Sequence, residues 1–199
     1  YLDCDILLND TTDWEYWGRY VYAESWEPIT TFLGTFDGQG HTISGLYIHG
    51  QADKDYTNTG LFGVVGIPEE DANAKICNVG IKASVFDLRE ITKRGDKIGL
   101  LAGNFLDGSA SQCFAHGKIV GNNIYYYIGG LIGLLGGQKV IQYGEAIVTD
   151  CYARVDIIST SQGVLGGVIG RNERTVLNNS FAAGRGWRYG ASTGSITNV

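Results

Sequence analysis

The chain of 199 residues has no methionine, two prolines and three histidines, and only 18% of it is charged. Each scarcity excludes something. Two prolines beside 30 glycines that follow no three-residue period exclude collagen and polyproline folds. The 15 Lys and Arg are dispersed and outnumbered by 21 Asp and Glu, for a net charge of −6. No basic field is available to neutralise a run of phosphates, so nucleic acid is not an expected partner. The longest uncharged stretch, 119–138, carries Asn122, Asn123 and six glycines, so membrane insertion is not expected either. Four cysteines without C-x-x-C spacing support neither a zinc site nor a thioredoxin-type motif. H-E-x-x-H, a P-loop and the calcium-binding G-G-x-G-x-D repeat are also missing, so no cofactor or integral metal is expected. Tyr1 reads as a processed terminus or as the edge of an excerpt.

What is abundant is apolar and aromatic: 44% and 12% of the residues, enough to bury a sizeable core in one domain. That material repeats. Five segments align without gaps: Ile43–Ile48, Ile76–Ile81, Ala110–Ala115, Val148–Ala153 and Leu177–Ala182. The steps from Leu46 to Val79, Cys113, Cys151 and Ser180 are 33, 34, 38 and 29 residues. A near-constant period with variable loops is the signature of a solenoid. A second, Gly-bounded segment precedes four of these: Thr59-Gly60-Leu61-Phe62-Gly63, Gly99-Leu100-Leu101-Ala102-Gly103, Gly129-Gly130-Leu131-Ile132-Gly133 and Gly166-Gly167-Val168-Ile169-Gly170. Its short apolar runs lack a 3.6-residue stripe and read as buried strands.

Alternation within the first segment assigns two faces. Leu46/Ile48, Val79/Ile81, Cys113/Ala115, Cys151/Ala153 and Ser180/Ala182 are expected to point inward. The opposite parity then places Tyr47, Phe114, Tyr152 and Phe181 outward as an aromatic ladder, with Gly80 interrupting it. His49, Lys82, His116 and Arg154 form a basic ladder alongside. A polar position recurs before the inward pair, at Asn78, Gln112, Asp150, Asn179 and Asn198, and reads as architecture that satisfies backbone groups at a bend. Stacked cysteines 113 and 151 read as small buried hydrophobes in preference to a disulfide. Asp37-Gly38-Gln39-Gly40 reads as a tight turn, with His41 in a structural role.

The run from Trp26 through Phe36-Asp37-Gly38-Gln39-Gly40-His41-Thr42-Ile43, then Gly60-Leu61-Phe62-Gly63 and Ile76-Cys77-Asn78-Val79-Gly80-Ile81, resembles the GLUG-type repeat of microbial surface proteins. The resemblance covers residues 1 to 199, densest from Trp26 to Ile81. It implies an all-β, right-handed parallel β-helix in a secreted or cell-surface protein, with no shared catalytic residues to carry over. We expect one domain of five to six coils: entry strand and aromatic capping insertion over 1–31, repeat over 32–199. Trp14, Tyr16, Trp17, Tyr20, Tyr22 and Trp26 are expected to cap the open end of the core.

Chemistry is thin. Gly190-Ala191-Ser192-Thr193-Gly194 matches the nucleophile-elbow pattern, but no His follows it, so it reads as a loop. Asp107, Asp150, Lys118 and Arg154 are the groups a glycan-cleaving β-helix would recruit, without converging on one pair by sequence. The expected role is structural, as an adhesin stalk or a fibre subunit. The partners expected are copies of itself or adjoining repeats, met through unpaired strand edges at Leu2, Cys4, Ile6, Ile196 and Val199. The alternative is a glycan held or cleaved by the outward aromatic and basic ladders.

Overall fold

The computed structural model describes residues 1–19, 23–51, 57–67, 73–90, 97–121, 127–137, 146–160, 163–173 and 175–188. An entry strand, β1 (Ile6–Leu7), and one 3-10 turn (Trp14–Tyr16) precede the repeats. The first coil is β2 (Ile29–Phe32), β3 (Thr35–Asp37), β4 (Thr42–Ser44) and β5 (Tyr47–His49). The second is β6 (Asn58–Thr59), β7 (Phe62–Val65), β8 (Lys75–Cys77) and β9 (Gly80–Leu88). The third is β10 (Lys97–Ile98), β11 (Ala102–Phe105), β12 (Ser109–Ser111) and β13 (Phe114–Gly121). The fourth is β14 (Tyr127–Gly129), β15 (Ile132–Leu135), β16 (Ile147–Thr149) and β17 (Tyr152–Ser159). The fifth is β18 (Val164–Gly166), β19 (Ile169–Asn172), β20 (Val176–Asn178), β21 (Phe181–Ala182) and β22 (Gly186–Arg188).

Equivalent strands stack in parallel and give four sheets. A broad sheet holds β1, β4, β9, β13, β17 and β21 in that order, with β5 and β22 paired to β9 and β17. The others are β2-β7-β11-β15-β19, β3-β8-β12-β16-β20 and β6-β10-β14-β18. The molecule is therefore the all-β solenoid the repeat predicts. It has about four full turns, not five to six: among the described residues the first coil adds no strand to the fourth sheet.

Register explains the inward file. Phe114 pairs with Gly80 on one side and Tyr152 on the other, and Tyr152 pairs with Phe181, so Val79, Cys113, Cys151 and Ser180 share one column. Val79, Cys113 and Cys151 are buried to 1% exposure. Leu46 is buried too, but outside that column: it is Ile43 that pairs with Ile81, while Tyr47 pairs with Val85. The reason is that the first copy begins at Phe36, which pairs with Ile76, and not at Ile43, and that its corner is longer. Asp37 pairs with Cys77 and Thr42 with Gly80, so the first coil spends five steps (42 − 37) where the second spends three (80 − 77). An ungapped alignment slides past this insertion.

The polar position before each inward pair adopts left-handed backbone: Asn78 φ 54°, Gln112 53°, Asp150 54° and Asn179 46°. Asn and Asp tolerate that region better than other residues with a Cβ. Each corner N–H bonds the next coil's carbonyl, as in Asn78 to Ser111 (3.1 Å), Gln112 to Thr149 (3.2 Å) and Asp150 to Asn178 (3.2 Å). The following Cys or Ser closes the bend. Cys113 Sγ donates to Ser111 O (3.2 Å), Cys151 Sγ to Thr149 O (3.2 Å) and Ser180 Oγ to Asn178 O (2.8 Å). The Cys113 N–H in turn donates to Cys151 Sγ (3.4 Å), and the Cys151 N–H to Ser180 Oγ (3.2 Å). All four cysteines are unbridged thiols, with Cys4 exposed and the other three buried. The hydrogen bond with Cys151, and then burial, push the Cys113 thiol well above its ordinary range.

Candidate functional site

The broad sheet carries the outward residues. Phe114 and Tyr152 stack at 5.1 Å between ring centroids and 6° between planes, and Tyr152 and Phe181 at 5.3 Å and 9°. These spacings are the coil repeat itself, so the rings rest face on face along the axis. Exposure rises along the file, from partly buried Phe114 to 37% at Tyr152 and 59% at Phe181. At the other end Gly80 leaves a gap, and the Phe114 ring leans into it. A Cβ at Gly80 would lie 2.2 Å from Phe114 Cζ, so only glycine fits under this ring.

Beside the rings, His116 and Arg154 are in register. Lys82 joins them through a bulge: pairing between β9 and β13 shifts between Ala115 and Gly117, and Ala83 takes a φ of 45°. Lys82 Nζ lies 5.7 Å from the Phe114 centroid. Desolvation, then Arg154, hold His116 below the usual imidazole range. Lys118, farther along β13, is depressed by burial and by Arg19 and Arg89.

Two expected members stand elsewhere. Tyr47 pairs with Val85 and is 1% exposed, and His49 pairs with Asp87, so neither is on the ladder. The strand that matches Gly80–Ile81 in the first coil is Thr42–Ile43, and Tyr47 and His49 follow it on β5. Tyr47 forms a second cluster with Trp17 (5.6 Å, 74°) and Val85. His49 Nε2 lies 3.9 Å from Glu90.

The N-terminal insertion lies across this sheet. Trp14 meets the edge of His116 at 5.4 Å, and Trp17 is buried against Tyr47. The buried Asp87 carboxylate pairs with Arg89 at 2.6 Å, and the same guanidinium donates to Gly18 O at 2.5 Å. Asp87 raises the Arg89 pKa above its ordinary value. Trp14 and Trp17 thus cover a lateral face and do not cap an end. Trp26 does reach the main core, its indole N–H donating to Leu61 O at 3.2 Å. Tyr16 is 54% exposed, and Tyr20 and Tyr22 lie outside the described residues.

Of the edge residues, Leu2 and Ile6 pack against the core, the Leu2 N–H bonds Asp37 O (3.1 Å) and Ile6 pairs with Ile43. Ile196 and Val199, with the Gly190–Gly194 motif, lie outside the described residues. The groups considered for glycan cleavage are dispersed. Asp107 is buried at the corner between β11 and β12, Asp150 is exposed at the corner between β16 and β17, and Lys118 and Arg154 sit on β13 and β17. His41 faces the Asp5 carboxylate at 3.4 Å, a local contact at the entry strand.

Sequence reasoning missed a groove of about 600 Å³ at the head of the ladder, lined by Gln39, Gly40, Asn78, Val79, Gly80, Gln112 and Phe114. The interruption at Gly80 was its signal. Among the described residues no three His, Cys, Asp or Glu side chains form a metal-holding group, and no helix is long and apolar enough to cross a membrane.

Fold and surface define a parallel β-solenoid with a self-stacked aromatic file. The chain is 31% identical to halomucin of Haloquadratum walsbyi over 127 residues, which are 63% of this chain and 1% of the length of that protein. No family model matches, so the GLUG-type resemblance rests on the residues quoted for it. No solved structure matches.

Proposed function

We propose that this chain is a non-catalytic structural module of a secreted or cell-surface protein, a stalk or fibre unit that extends by stacking coils. The observation that carries this reading is how the aromatic file uses its rings. A sugar-binding platform along the file needs free ring faces, yet both faces of Tyr152 are covered, one by Phe114 and the other by Phe181. The file serves cohesion along the axis. So do the corner residues, whose hydrogen bonds run from coil to coil. Repetition along a whole axis suits a spacer better than a single reaction centre. The likeness to halomucin is compatible with a structural module at the surface.

End-to-end association follows from the same architecture. A parallel stack ends in strands with unpaired backbone groups, and such edges accept a further strand. At the first coil these are β1 and β2, where Leu7 is 65% and Ile29 39% exposed. Sedimentation velocity across a concentration series tests it, with negative-stain microscopy of the top concentration. Growth into linear particles, abolished by Leu7→Pro in β1, is the expected result. A single monomeric species at every concentration would remove the fibre reading.

A further inference from the structure

The groove at the head of the aromatic file has a composition unlike the rest of the surface. Three carboxamides, Gln39, Asn78 and Gln112, converge on it from successive corners, and Phe114 forms its wall. Gly40 and Gly80 contribute backbone only, and the Phe114 ring leans over Gly80 to form the adjoining wall. Among the described residues no charged side chain lines it.

The amides are held unequally. Asn78 Nδ2 donates to the Asp37 carboxylate at 2.9 Å, and Gln39 Nε2 donates to Leu2 O at 3.1 Å. One N–H of each amide is engaged in this way, and the carbonyl oxygen is the acceptor each can offer a ligand. The exposed Gln112 amide has no hydrogen-bond partner among the described residues, so both its donor and acceptor remain for a ligand. The left-handed backbone at Gln39 (φ 52°), Asn78 and Gln112 fixes where each side chain leaves the chain.

We propose that this groove binds a neutral saccharide. Hydroxyl groups both donate and accept, which matches carbonyl oxygens beside one complete amide, and the C–H face of a sugar ring suits an aromatic wall. A neutral ligand fits better than an acidic one. The Asp37 carboxylate sits behind Asn78 and is held ionised below its usual range by that amide and by the Gln39 N–H. Lys82 lies over the Phe114 ring and not in the groove. The volume lies within the range of small-molecule sites. This inference goes beyond the structural role and is independent of filament formation.

The test is isothermal titration of the intact chain with neutral oligosaccharides of glucose, mannose, galactose and N-acetylglucosamine, with alginate and hyaluronan as acidic counterparts. Binding of at least one neutral series is expected, weakened at least tenfold by Gln112→Ala at unchanged melting temperature, and also by Phe114→Leu. Gln112→Ala decides the matter, because that exposed side chain supports nothing in the fold. No neutral binding, binding of the acidic polymers alone, or undiminished affinity in Gln112→Ala would each overturn the proposal.

Discussion

Gly80 shows how one missing side chain shapes its surroundings. Its place in the outward file is filled by the ring of Phe114 from the next coil, which comes within 2.2 Å of where a Cβ would be. Gly80→Ala must push that ring, and the file stacked on it, along the axis. Overpacking of this kind costs about 1–3 kcal/mol, read as a lower melting temperature. Gly80→Ala combined with Phe114→Ala is expected to cost less than the two changes summed, since the second removes the collision. His116 carries the pH dependence of the same face. Its folded pKa lies below the ordinary 6.5, so the folded state accepts the proton less readily than the unfolded chain. Stability from this group is full above that value and declines as pH falls through it toward the lower folded pKa. An NMR titration should place the imidazole below 6.5 in the native protein, and melting curves of His116→Gln should lose this part of the acid sensitivity. A titration at or above the ordinary value would contradict the packing described.

At the scale of the element, the corner between the third and broad sheets is the unit that repeats. It needs a residue that tolerates positive φ, followed by a small side chain able to donate backward and accept from the coil before it. Cys113, Cys151 and Ser180 meet the second requirement with the same bonds, although two are thiols and one a hydroxyl. Removing the acceptor from the buried Cys113 N–H by Cys151→Ala should therefore cost about 1–3 kcal/mol, with Cys151→Ser recovering a large part. Equal losses in both variants would show that the thiol only fills space. The corner also explains what could be read in advance. Asn78, Gln112, Asp150 and Asn179 stood out as an architectural file, and the inward parity of Val79, Cys113 and Cys151 followed from simple alternation. Tyr47 and His49 were misplaced because Ile43–Ile48 was matched to Ile76–Ile81, one strand too late along the first coil. The counterpart of Ile76 is Phe36, and only with a two-residue gap at the longer corner does the same copy also align Ile43 with Ile81. The bulge at Ala83 and the Arg89 bridge to Gly18 join residues whose types carry no periodic signal, so only the folded chain reveals them.

At the scale of the molecule, the core is a column of side chains that neighbouring coils bury for one another. Ile76, Ile81, Ile98, Leu100, Ile128 and Leu131 are fully buried, each contributing about 1.5–3 kcal/mol on transfer from water. A single coil could not bury such a face alone, so stability should arise between coils. The N-terminal insertion adds a lateral cover over Tyr47, Val85 and His116 and turns part of an outward face inward. The glycines and loops absorb the variation in period, while the register stays fixed. Lys75, Ser109, Ile147 and Val176 form one outward file in the third sheet, one residue per coil. In a Cys4→Ser background, paired cysteines in this file measure the register directly under mild oxidation. Ser109→Cys with Ile147→Cys, and Lys75→Cys with Ser109→Cys, lie one coil apart and should cross-link. Lys75→Cys with Ile147→Cys lies two coils apart, about 10 Å, and should remain reduced. Cross-linking of the distant pair as readily as the adjacent pairs, or of none of them, would contradict the stacked, in-register solenoid.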